Sequence, residues 1–106
     1  MKQIFIDKFV VPKNAAAEFN ERMNYNRSFI KKFYGFIKDT VYERTDEEGN
    51  KIIITVAEWE DELALVRARE KVQSEYKKIG FDPGEMTARL NIKMERGIFA
   101  EIKSPL

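Results

Sequence analysis

Residues 51–62, KIIITVAEWEDE, constrain the fold of this chain more than any other stretch, because they are apolar on both faces of a strand. Ile52, Ile54 and Val56 share one face, and Ile53, Thr55, Ala57 and Trp59 share the other. A strand half open to water would carry polar residues on one side. Both faces therefore need cover, and this strand is expected to be the best buried.

The chain before it reads as strand, helix, strand. In residues 3–11, QIFIDKFVV, Ile4, Ile6 and Val10 lie on one face and Phe5, Phe9 and Val11 on the other, interrupted by Asp7 and Lys8. A carboxylate at Asp7 needs a basic partner, an opening to water, or an altered pKa. Pro12 ends the strand, and Asn14 is the expected N-cap of a helix from Ala15. Its inward stripe is Phe19, Met23, Ile30 and Phe33, with Asn26 in the remaining slot. Asn26 is thus either a hydrogen-bonding group on a pocket wall or a buried amide satisfied by backbone or water. Gly35 supplies a left-handed cap. The strand 36–44 places Ile37 and Val41 on one face and Phe36, Lys38, Thr40, Tyr42 and Arg44 on the other, and the Gly49–Asn50 pair predicts a tight hairpin.

After Trp59, the acidic residues Glu60, Asp61 and Glu62 suit the start of a second helix, whose inward stripe is Leu65, Ala68, Val72, Tyr76 and Ile79. Gly80 closes it. Asp82, Pro83 and Glu85 predict a short third helix to about Leu90, with Glu85 reaching back in a capping box. A last strand within 92–102 is clearest from Arg96, Gly97 marking a bulge or a close approach, and 103–106 form a tail.

The length fits one domain over residues 1–106. Nineteen basic against eighteen acidic residues give a net charge of +1, spread along the chain, so no nucleic-acid partner is expected. No apolar run approaches the roughly 20 residues of a membrane span, no membrane partner is expected, and the start shows no signal-peptide pattern, so a cytoplasmic location is expected. There is no Cys and no His. Thiolate nucleophiles, imidazole bases and His-ligated haem are thereby removed, and no calcium-type loop appears, so neither a metal nor a cofactor is expected.

The order β-α-β-β-α-(α)-β is the α+β, ferredoxin-like split βαβ arrangement, a four-stranded antiparallel sheet with helices on one face. Its other face still carries Ile and Val, which predicts a homodimer through that sheet face. A standard interface buries roughly 800 Å² per partner.

IFIDKFVVPKN leading into AEFNER, the helix-ending YGF, and above all TVAEWEDELAL resemble the antibiotic biosynthesis monooxygenase family of the dimeric α/β-barrel superfamily, over nearly the whole chain. RLNIKMERGIFAEI is longer than the minimal family pattern. The resemblance implies a small oxygenase without metal or prosthetic group, acting on an aromatic, polyphenolic or quinol-type substrate in an apolar cavity between sheet and helices. Its expected catalytic residues are Asp7, as base, and Asn26, with Tyr34, Trp59 and Arg89 at the substrate pocket. Trp59 matches the family's strand-end tryptophan, which serves equally as a core anchor. The haem-degrading branch uses an axial histidine that this chain lacks. The alternative is a non-catalytic dimeric α/β barrel that binds a small ligand or acts in a stress response, since fold alone does not fix function.

Overall fold

A computed structural model describes residues 1–103, so most of the expected tail, 104–106, lies outside the described residues. The elements are β1 (Gln3–Val11), a 3-10 turn (Lys13–Ala15), α1 (Ala16–Ile30), β2 (Phe36–Thr45), β3 (Lys51–Trp59), α2 (Glu62–Ile79), α3 (Pro83–Arg89) and β4 (Lys93–Phe99). The sheet order is β2-β3-β1-β4, with every pairing antiparallel. This is the ferredoxin-like arrangement.

The two-sided strand 51–62 becomes β3, hydrogen-bonded on both edges. Registers Phe9↔Ile53, Asp7↔Thr55 and Phe5↔Ala57 put the inward residues of β1 and β3 side by side. Two buried clusters close the space between sheet and helices. One gathers Val11, Ala15, Phe19, Ile53, Met86 and Ile92; the other gathers Ile30, Trp59, Ala64, Leu65 and Ala68. Both take their sheet residues from the same face. The opposite face carries Ile4, Ile6, Val10, Ile54 and Val56, all only partly buried.

Several local expectations need correction. Asn14 does not cap α1: the chain enters through the 3-10 turn, and the N-cap position falls on Ala15 with no side-chain hydrogen bond. Phe36 faces the helices beside Val41, because a bulge between Phe36 and Lys38 shifts the register, and its ring packs edge-on against Trp59 at 5.4 Å. Ile79 is exposed at the end of α2, where the helix has run past the sheet-facing layer. Asp82 caps α3 by accepting from the Glu85 backbone N–H, but the Glu85 carboxylate pairs with Arg89 instead of reaching back. β4 stops at Phe99 and pairs with β1 without a bulge. Gly97 instead leaves room for the Phe99 ring, which a Cβ there would meet at 2.8 Å.

Gly35 is indispensable at the turn into β2. Its φ is +86°, and a Cβ would lie 2.3 Å from that of Ala64, while its carbonyl accepts from the Glu60 N–H. The turn is thereby pressed against the start of α2.

Candidate functional site

A cavity of about 670 Å³ lies between the helix-facing side of the sheet and the helices, with lining residues from all four strands and all three helices. Its position follows from the inward pattern of each element. Along β1, Phe9 belongs to one apolar cluster and Phe5 to the other, with Asp7 between them; along β3, Thr55 separates Ile53 from Ala57. On α1, Asn26 falls between Met23 and Ile30. Asp39 on β2 and Arg96 on β4 complete a polar belt across the middle of an otherwise apolar layer.

Asp7, Thr55 and Arg96 are direct cross-strand neighbours. Arg96 donates to Asp7 from Nε to Oδ1 at 2.7 Å and from Nη2 to Oδ2 at 3.0 Å. This two-point pair satisfies the buried carboxylate and holds the half-exposed guanidinium even more firmly protonated than usual. The Arg96 guanidinium also lies 5.0 Å from the centre of the Phe5 ring, so its direction is set by both contacts. Arg27 donates to Asp39 in a second pair.

Asn26 lines the same cavity, and its Oδ1 is buried without a hydrogen-bond partner among the described residues. An orphaned amide oxygen costs stability unless something else supplies a donor. Tyr76, on α2, is also in the lining, and burial pushes its phenol above the usual range against the opposing pull of Arg96 and Arg22. It is thus a neutral donor at physiological pH.

Of the residues singled out in the sequence, Asp7, Asn26 and Trp59 all line this cavity. Tyr34 and Arg89 do not. Tyr34 is 82% exposed in the turn before β2, which carries it away from the layer. Arg89 lies on the outer side of α3, donating to both oxygens of Glu18 at 2.7 and 3.2 Å and to Glu85 at 2.7 Å. Its charge pins α3 to α1. Conversely, Arg96, Tyr76 and Asp39 were not singled out as site residues. Arg96 had a legible signal, a charge at the inward position between Met94 and Ile98, but only the β1–β4 register shows that it meets Asp7. Among the described residues, no three acidic side chains converge as metal ligands.

This fold recurs in solved structures. SnoaB, a cofactor-independent oxygenase from Streptomyces nogalater, is similar over 97% of this chain and 95% of its own, with 23% identity and a TM-score of 0.66. The chain shares its ferredoxin-like fold with this oxygenase. A candidate antibiotic biosynthesis monooxygenase from Deinococcus radiodurans matches over 98% of this chain and 96% of its own, at 11% identity and a TM-score of 0.64. A dimeric ferredoxin-like protein from an uncultured marine organism matches over 95% and 97%, at 8% identity and a TM-score of 0.65. No protein-family profile and no curated protein matches the sequence significantly. No helix among the described residues is long and apolar enough to cross a membrane.

Proposed function

We propose that this protein is a cofactor-independent monooxygenase that oxidises a small aromatic, polyphenolic or quinol-type molecule inside the cavity. The observation that carries the reading is the pairing of an apolar space of about 670 Å³ with a polar belt holding two arginine-paired carboxylates, Asp7 and Asp39, and, among the described residues, one unpartnered amide oxygen, that of Asn26. Such a pocket suits a flat aromatic body fixed by a few polar contacts. The fold shared with SnoaB supports it.

In this reading the substrate is a polyphenol whose ring system carries an activated CH2 group; one of its hydroxyls donates to Asn26 Oδ1, and Asp7 takes a proton from that CH2. The resulting carbanion, delocalised over the aromatic system, passes one electron to dioxygen, and the two radicals join in a C–O bond as a peroxide. Loss of the second hydrogen with cleavage of the O–O bond then converts the CH2 group to a carbonyl and releases water. The substrate supplies all four electrons. The protein orients it and keeps bulk water away. Trp59 forms a pocket wall.

The working unit is a homodimer. Half-buried Ile4, Ile6, Val10, Ile54 and Val56, with exposed Phe99 on the adjacent edge strand, form an apolar sheet face suited to a second copy, and the dimeric marine neighbour supports the assignment.

The test is oxygen uptake with a panel of quinol-type and polyphenolic compounds that carry an activated ring CH2 group, by the wild-type protein and by Asp7→Asn and Asn26→Ala. General-base catalysis is typically worth about 10²–10⁴-fold, so D7N should lose at least that lower figure in kcat/KM with its circular dichroism unchanged. Full turnover in both variants would sink the assignment. One observation favours a second reading: both Asp7 oxygens are already bound to Arg96, as befits a binding site that performs no proton transfer. Tight binding of a quinol without any oxygen uptake would select that reading, a non-catalytic ligand-binding barrel.

A further inference from the structure

The charges around the cavity do not balance. Five cationic side chains line it against three carboxylates. Arg96 and Arg27 are held by Asp7 and Asp39, and the third carboxylate, Asp82, caps α3. Arg22, Arg69 and Lys77 have no ion-pair partner among the described residues. Of these, Arg22 is the least free to move. It is half-buried on α1, one turn before Asn26, and its guanidinium lies 4.4 Å from the centre of the Phe81 ring. Phe81 in turn packs edge-on against Tyr76 at 4.9 Å. Arg22, Phe81 and Tyr76 therefore form one contiguous group bridging α1 and the end of α2.

Tyr76 Oη makes no hydrogen bond among the described residues; Arg22 and Arg96 lie within Coulombic reach of it, as do the Tyr25 phenol and Asp7, whose charge is paired with Arg96. Arg96 spends Nε and Nη2 on Asp7, leaving Nη1 unengaged. Glu18, one turn before Arg22 and within its Coulombic reach, is already engaged at both oxygens by Arg89. Among the described residues, the cavity wall thus presents a half-buried cation and a neutral phenolic donor, neither of them hydrogen-bonded to an acceptor.

We infer that Arg22 and Tyr76 form an oxyanion subsite at the edge of the cavity, so that its ligand is an aromatic acid whose carboxylate binds there while the ring system occupies the apolar space. A guanidinium and a phenol aimed at one carboxylate make charge-assisted hydrogen bonds, the strong kind. The inference rests on the reading of the cavity as an aromatic-ligand site and adds the charge of the ligand to it.

Two inert probes of equal size separate the two ideas: 2-naphthoate and 2-naphthylmethanol, titrated calorimetrically into the wild-type protein, Arg22→Gln and Tyr76→Phe. Naphthoate is expected to bind the wild type roughly tenfold more tightly than the alcohol, a preference that falls to about twofold or less in R22Q and weakens in Y76F. The affinity of the alcohol should remain within about twofold in all three proteins, which also shows that the variants keep the cavity. Equal binding of both probes to the wild type, or an unchanged preference in R22Q, overturns the subsite and leaves the aromatic site standing. Failure of both probes to bind the wild-type protein overturns the cavity reading and the subsite with it.

Discussion

The two apolar ends of the sheet–helix layer and the polar belt between them are built from the same elements, a few residues apart, yet they meet opposite demands. At one end Val11, Phe19, Ile53 and Met86 close on each other; at the other Ile30, Trp59, Leu65 and Ala68 do the same. In the belt, Asp7, Thr55, Asn26 and Arg96 occupy the inward positions where large apolar residues would fill the space. The ends supply stability. The belt gives some of it up: an amide oxygen is left unpartnered and a cavity unfilled, a pattern expected where function sets the residue choice.

Substitutions can break or sharpen this contrast. The largest loss is expected at a closed end: Trp59→Ala should cost about 3–5 kcal/mol in a denaturant titration, as removal of a buried aromatic does. A cost near zero would mean that this end is not packed. Gly35→Ala should follow at about 2–4 kcal/mol, from a left-handed backbone and an overlap with Ala64 that neither chain segment can relieve.

Within the belt the costs should be smaller. Asp7→Asn is expected to lose about 1–2 kcal/mol, well below a fully buried pair, because Arg96 is nearly half exposed and can turn to water. Asp7→Leu combined with Arg96→Met should recover that loss while abolishing oxygen uptake; recovered stability with full uptake would remove the pair from the chemistry. Asn26→Leu is expected to be neutral or to stabilise by up to about 1 kcal/mol, since it removes the orphaned oxygen and fills space, again with loss of uptake. Arg89→Gln, outside both regions, should leave uptake unchanged, because its partners are solvent-exposed carboxylates of α1 and α3, but it frees Glu18 one turn from Arg22 and should weaken the preference for naphthoate slightly.

Much of this architecture was legible beforehand. The two-sided apolar pattern of 51–59 marked β3, and Asp61, Asp82 and Gly80 marked helix ends that the structure places where the capping chemistry puts them. Asp7 and Asn26 could be noticed as polar interruptions of inward stripes, because a period of two or 3.6 identifies the inward position without knowing what lies opposite. Tyr34 and Arg89 were misplaced for the converse reason. They lie at an element's end or on a short helix, where periodicity fixes no face. Phe36 was assigned the wrong side because a bulge, which leaves no mark in FIKDT, reverses the alternation once.

By itself the sequence determined the element order, the caps and the polar positions within each inward stripe, all of which depend on neighbours a few residues away. Tertiary structure alone decided that these positions meet. Asp7 and Arg96 are 89 residues apart, and only the register of β1 against β4 sets a carboxylate beside a guanidinium, opposite an amide from α1, with a cavity between them. Register is a property of pairing between distant segments, and no local pattern contains it.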